Sequence, residues 1–271
     1  MGVTMDQVLD DLVAETQVLH ELVADLDDTA MSGATPAEGW SIRDQLTHLA
    51  YFDETARQAA VDPGAFRRDA DALMAGGADF PDRIAAEHTG LPAAEVRAWF
   101  ARNRLAFVEA FRELDPKARL PWYGPDMSAL SSATARLMET WAHGQDVADA
   151  LGRHREPTDR LRHIAHLGVR TTAFSFALNG KPVPDGPILV ELEAPSGARW
   201  TWGEAGAPDR VTGTALDFCL VVTQRRHLDD TALRADGPVA REWLSIAQTF
   251  AGSPGTGRAV RSATSRPGGA S

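Results

Sequence analysis

The sequence predicts an α+β protein in two parts: a four-helix bundle, then a smaller domain mixing strands and helices. Three observations carry this. Apolar residues recur at helical spacing in long segments up to Gly152, with no strand pattern between them. Beyond Pro157 the texture changes, and Ile188 to Glu193 alternates as a strand does. A chain of 271 residues, 44% hydrophobic and 24% charged, can also build one large core or two ordinary ones. The implied divisions are 1–155 for the bundle, 156–252 for the α+β part and 253–271 for a flexible tail of Gly, Ser, Pro and Arg.

The first helix spans residues 3–27, with Val8, Leu9, Leu12, Val13, Leu19, Leu22, Val23 and Leu26 on its stripe. A connector, SGATPAEGW, follows it. Ser41-Ile42-Arg43-Asp44 then reads as a capping box opening a second helix, whose core face carries Ile42, Leu46, Leu49 and Ala56. Asp53 lies among them, and a carboxylate on an apolar face either reaches a polar group inside or lies at the exposed end of the stripe. Between Val61 and Pro92, prolines and glycines break the pattern into a long, partly helical excursion of the kind that lids a site.

A third helix covers 93–114, with Val96, Phe100, Phe107, Phe111 and Leu114 on its stripe and Asn103 interrupting it. The loop LPWYGPDMSALSS leads into the fourth, which contains RLMETWAHGQDVADALG from Arg136 to Gly152. Gly152 and Pro157 punctuate a boundary. Residues 159–178 then read as a helix, 188–193 and 199–202 as a hairpin around Pro195-Ser196-Gly197, and 210–213 as a short strand. Helices at 215–226 and 239–250 complete the second part.

Charge and cysteine usage exclude several classes of function. With 27 basic and 38 acidic residues the net charge is −11, which disfavours nucleic acid or an anionic membrane as partner. No apolar run approaches the roughly 20 residues that span a bilayer, and the N-terminus lacks a secretory pattern. The one cysteine, Cys219, rules out a disulfide framework and a thiolate zinc cluster within the chain, and its apolar setting, FCLVV, reads as core. The cytoplasm is the expected compartment, and a monomer and a homodimer are equally compatible with the sequence.

Any metal must therefore be held by histidine and carboxylate. Glu139 and His143, four residues apart, project from one face of the fourth helix, and Asp146 lands on the same face. Such a pair can bite one divalent cation, and His48 of the second helix is the best third donor. Three protein ligands leave positions open for water or substrate, the catalytic pattern. Asp146 either adds a fourth ligand or, as expected, accepts from the His143 imidazole N–H, and Asp53 is expected to lie behind the ligands in a similar supporting role.

The context Ser41-Ile42-Arg43-Asp44-Gln45-Leu46-Thr47-His48-Leu49, followed by E-x-x-x-H-x-x-D from Glu139 to Asp146, resembles the DinB-like four-helix bundles. It resembles most closely the mycothiol-dependent maleylpyruvate isomerase group of actinobacteria, over nearly the whole chain to about residue 252. The resemblance implies a metal-binding bundle joined to a sterol-carrier-like α+β domain. It implies a divalent metal, most often taken as zinc, on His48, Glu139 and His143, and mycothiol as cosubstrate. The group also uses an arginine in a T-G-R context; here the text is Thr223-Gln224-Arg225, with Gln224 in place of the glycine.

The expected function is a metal-dependent enzyme that activates a thiol or water for transfer to, or isomerisation of, a small electrophile. The alternatives are a hydrolase or lyase without thiol, and a non-catalytic carrier of an apolar ligand with a structural metal. Trp122 and Tyr123 either line the site entrance or plug a loop. Arg83 either holds a substrate carboxylate or stays at the surface, and Arg225 either meets an anionic substrate or caps its helix. His88, His154, His163, His166 and His227 are dispersed and read as surface or core residues, and His163 and His166, at i and i+3, have no carboxylate at ligand spacing nearby.

Overall fold

The computed structural model describes residues 2–261, and the chain separates into two compact units, Met1–Glu156 and Pro157–Ser271. The first is helical. Its long helices are α1 (Met5–Val23), α3 (Ile42–Val61), α6 (Ala93–Arg112) and α7 (Ala129–Ala150). Shorter helices α2 (Asp28–Met31), α4 (Pro63–Met74) and α5 (Phe80–Glu87) fill the connections. Helix α3 packs against α6 and α7, and α1 against α7 and α6.

Local chemistry sets the helix starts. Thr4 and Gln7 form a capping box at α1, and Ser41 with Asp44 forms the one the sequence announces at α3. The excursion at 61–92 is more helical than its punctuation suggests. Pro63 falls in the first turn of α4, where its missing N–H costs nothing, and Asp62 caps that turn. The loop after α6 closes as a two-residue antiparallel pair, β1 (Arg119–Leu120) with β2 (Met127–Ser128).

The bundle has an apolar end and a charged layer. Leu19, Val23, Leu46, Leu49, Val96, Phe100 and Val147 pack together at the first. Along from it, each of the four long helices contributes to one buried polar cluster. Asp53 of α3 accepts from Arg104 of α6 (Nε–Oδ2, 2.7 Å) and from Arg136 of α7 (Nε–Oδ1, 3.0 Å). Arg104 also donates to Thr140 of α7 at 2.9 Å and to Thr16 of α1. A buried charge survives only when paired in this way. Asn103, which breaks the α6 stripe, donates to Ala50 O and Glu54, both at 3.0 Å, tying α6 to α3. Beyond α7, Arg155 folds back to pair with Glu15 of α1 and donates to Trp141 O.

In the second unit a four-stranded sheet runs in the order β4 (Arg199–Trp202), β3 (Ile188–Glu193), β5 (Asp209–Thr214), β6 (Arg234–Asp236). Strands β3 and β4 form the expected antiparallel hairpin, β3 and β5 are parallel, and β5 and β6 antiparallel. Val190, Leu192, Trp200 and Val211 line its buried face. The single helix expected at 159–178 is two, α8 (Leu161–Arg170) and α9 (Thr172–Leu178), broken at Thr171. Helix α10 (Ala215–Val222) rests on α8 at Gly168, where a Cβ would lie 2.9 Å from Val222 Cγ2. The last helix, α11 (Pro238–Ile246), packs on β5, β6 and α9.

The helices at 215 and 239 end earlier than their periodicity suggests, and the chain beyond is pinned by side chains. Gln248 is buried; its N–H bonds Ser175 Oγ, and its Oε1 receives the Gly255 N–H at 2.9 Å. The Arg261 N–H reaches Asp230 at 2.8 Å. The part of the expected flexible tail from 253 to 261 is thus held at these points, and residues 262–271 lie outside the described residues.

Candidate metal centre

Helix α7 presents Glu139 and His143 one turn apart, and α3 brings His48 across from them. His143 Nε2 lies 3.1 Å from Glu139 Oε2, and His48 Nε2 lies 3.8 Å from the same oxygen. One ligand atom from each residue falls within 4.8 Å of the others. Ligands about 2.1 Å from a tetrahedral ion stand roughly 3.4 Å apart, so the two measured separations bracket what an ion needs. Among the described residues no second cluster of this kind occurs, and His163 and His166 do not form one.

The electrostatics suit a cation. Burial drives the His48 pKa down to about 3, helped by His143 and Arg136 and opposed by Glu139. A neutral imidazole keeps a lone pair for a metal. Burial would raise the Glu139 carboxyl, yet its hydrogen bond with His143 and the nearness of both imidazoles hold it well below the usual carboxylate range. An ionised carboxylate beside the neutral imidazole of His48 in a largely buried setting is a charge that a divalent ion would neutralise.

Two residues that sequence reasoning missed complete the surroundings. Trp40, in the connector before α3, stacks on His143 (centroids 5.8 Å apart, 15° between planes) and leans on His48 at 5.3 Å. Its indole N–H donates to Asp82 of α5 at 2.7 Å, which ties the connector to the excursion. Gln45 of α3, fully buried, places Oε1 2.5 Å from His143 Nδ1. A polar residue on a helix's buried face was the available signal in its case.

The remaining expected residues separate. Asp146 is fully buried one turn along α7 from His143. Asp53 does not support an imidazole: its carboxylate is taken up by Arg104 and Arg136, because two buried guanidiniums outcompete a neutral ring for it. Arg83 pairs with Asp79 and donates to Leu73 O and Gly76 O, both at 3.0 Å, supplying donors that the carbonyls at the end of α4 need.

Trp122 and Tyr123 join an aromatic cluster: Trp122 stacks on Phe66 at 5.9 Å, and Tyr123 meets Phe52 edge-on at 5.6 Å. Phe52 in turn lies 4.5 Å from the His48 ring. Tyr123 also borders a cleft of about 420 Å³ with Tyr51, Glu54, Thr55, Asp69 and Trp99, so the aromatic loop packs a core and lines a cavity together. In the second unit, the Arg225 guanidinium donates to Thr223 O at 2.7 Å and sits over Phe250. The backbone before it is informative: Gln224 takes φ +59°, the left-handed conformation natural to the glycine of the T-G-R text.

Comparison with known proteins agrees with this architecture. Residues 12–148 match the family model described as mycothiol maleylpyruvate isomerase N-terminal domain, and residues 184–236 match one described as wyosine base formation. Two Mycobacterium tuberculosis proteins, MT0041 and Rv0036c, both termed uncharacterized, are each 48% identical over 248 residues, covering 92% of this chain and 96% of theirs. Among solved structures, the mycothiol-dependent maleylpyruvate isomerase matches with a TM-score of 0.58 at 15% identity. That match covers 85% of this chain and 93% of the other, and a histidine-to-alanine mutant of the same enzyme matches equally. The helical unit followed by a small sheet unit is that fold. The family match takes in α3 and α7 with all three clustered side chains, and the chain belongs to the mycothiol maleylpyruvate isomerase N-terminal domain family.

Proposed function

We propose that this chain is a metal-dependent enzyme that activates a small external thiol of the mycothiol type for addition to a small electrophile. The adduct is then either kept, as transfer, or undone with isomerisation. The observation that carries the reading is the convergence of His48, Glu139 and His143 on one point, with ligand positions left over. A divalent ion held there, zinc being the natural choice for such ligands, would lower the pKa of a thiol or water beside it and polarise a carbonyl.

The chain's own residues do the rest. The imidazoles and the carboxylate hold the ion, while Trp40 and Phe52 wall the site with apolar rings that exclude water. The thiol must come from outside, because Cys219 is buried and its burial pushes the thiol pKa well up. Family membership supports the thiol over water as nucleophile. Tyr123, Thr55 and Tyr51 offer hydroxyls along the cleft beside Phe52 for a polar substrate or cosubstrate.

A second reading, a carrier of apolar ligands, finds support in a cleft of about 220 Å³ in the second unit, lined by Val169, Val183, Ile188, Val190 and Trp243. In that case the metal serves folding alone.

Metal content by elemental mass spectrometry, for the wild type and Glu139→Ala, tests the first claim. Near-stoichiometric metal lost in the variant is expected; an absence of metal with no uptake on titration overturns it. Chelation then separates the readings. Loss of thiol-dependent turnover with the bundle still folded supports the enzyme, whereas unfolding of the helical unit supports a structural metal.

A further inference from the structure

We infer that Gln45 is a positioning residue that fixes the tautomer of His143, through a hydrogen-bond chain ending on the backbone of Trp40. The inference deepens the metal-site reading and rests on it. Three hydrogen bonds make the chain. The Thr35 hydroxyl donates to Trp40 O at 2.8 Å. The Gln45 amide nitrogen donates to Thr35 Oγ1 at 2.9 Å. That leaves the Gln45 carbonyl oxygen pointing the other way, 2.5 Å from His143 Nδ1. An oxygen cannot donate, so Nδ1 carries a proton, and Nε2 is the nitrogen left to a metal. Nε2 is the nitrogen that faces Glu139.

The direction of the chain is built into the connector. Thr35 and Trp40 close a tight turn in which the Thr35 N–H also bonds Trp40 O, at 2.9 Å, and Ala34 bridges Ser41. The turn therefore holds the Thr35 hydroxyl to the Trp40 carbonyl and leaves its lone pair for Gln45. Gln45 is fully buried, so water does not replace either contact. The same short segment lays the Trp40 ring on both imidazoles. Cover and tautomer are thus set by one turn, and a supporting acceptor of this kind is worth about 10–100-fold in metal affinity.

The test uses the full chain with Gln45→Leu, Gln45→Glu and Thr35→Val. Long-range ¹H–¹⁵N spectra of the metal-free protein read the imidazole tautomer, with His143→Ala assigning the signal. Zn²⁺ affinity is read by competition with a chromophoric chelator. The wild type should show a protonated Nδ1, and Gln45→Leu should remove that proton, leaving Nε2–H toward Glu139, and weaken Zn²⁺ by about 10–100-fold. Gln45→Glu, which keeps an acceptor, should restore both, with Thr35→Val falling between.

An unprotonated Nδ1 in the wild type, or an unchanged Nδ1 and Zn²⁺ affinity in Gln45→Leu, overturns the inference. If Gln45→Leu fails to fold, failure of Gln45→Glu to hold Nδ1–H does the same. If the wild type binds no Zn²⁺, the metal reading fails, while the tautomer measurement still decides the role of Gln45.

Discussion

Arg136 Nε lies 3.0 Å from Asp53 Oδ1, and that contact fixes how α7 registers against α3. Arg136 precedes Glu139 by one turn on α7, and Asp53 follows His48 by little more than one turn on α3. The salt bridge and the candidate metal site are therefore neighbouring rungs between the same two helices. Arg104 adds a second guanidinium to the same carboxylate and links it to α1 and α7.

Removing Asp53 would leave two buried guanidiniums without their carboxylate. Asp53→Ala should lower the unfolding free energy by about 3–5 kcal/mol, read from urea or guanidinium midpoints. A loss under about 1 kcal/mol would mean that Arg104 and Arg136 find other acceptors at little cost. The variant should also weaken metal binding, since the helices that carry His48 and Glu139 lose their register.

His143 and His154 make a paired control for the metal site. His143 is buried against Glu139, Gln45 and Trp40, while His154 is exposed and pairs with the exposed Glu156. His143→Ala should abolish stoichiometric metal, and His154→Ala should leave it at the wild-type level. Equal occupancy in the two variants would remove His143 from the ligand set.

Much of this site is legible in the sequence, and the reason is local. Glu139 and His143 sit at helical spacing, and His48 follows a capping box that fixes its helix, so period and cap alone aim the side chains. Gln45, Asp53 and Arg104 are legible only in outline. Each occupies a buried-face position where an apolar residue is expected, which announces a polar partner without naming it. Their partners come from other helices, at separations that no periodicity encodes. Trp40 is hidden for a different reason: a connector's composition marks a turn but not which way its ring falls. The α4 and α5 helices were masked by prolines and glycines that turn out to start and end them.

His20 gives a pH dependence that does not involve the metal ligands. It packs on Phe100 with centroids 5.3 Å apart, and its pKa is lowered, first by burial and then by the charge of Arg104. As pH falls below the ordinary imidazole value of 6.5, the unfolded chain takes up this proton before the folded one does. The unfolded state then binds more protons, so the contribution of His20, complete above that value, is lost as pH falls toward the folded-state pKa. Between about pH 7.5 and about pH 5, the wild type should lose more stability than His20→Gln. Parallel losses would show that His20 titrates alike in both states.

Gln224 separates backbone from side-chain contributions at the end of α10. Its φ of +59° is a conformation that disfavours any residue with a Cβ by about 1–2 kcal/mol relative to glycine. Its side chain offsets this by donating to Ala247 O at 3.1 Å and toward Gln248 at 3.4 Å, which helps seat the segment after α11. Gln224→Ala keeps the strain and loses the hydrogen bonds; Gln224→Gly loses the hydrogen bonds and relieves the strain. The glycine variant should therefore be more stable than the alanine variant by about 1 kcal/mol, and close to the wild type. Thermal or denaturant midpoints of the three proteins decide it. An alanine variant as stable as the glycine variant would mean that the turn after α10 relaxes out of the left-handed region once the glutamine no longer holds it there.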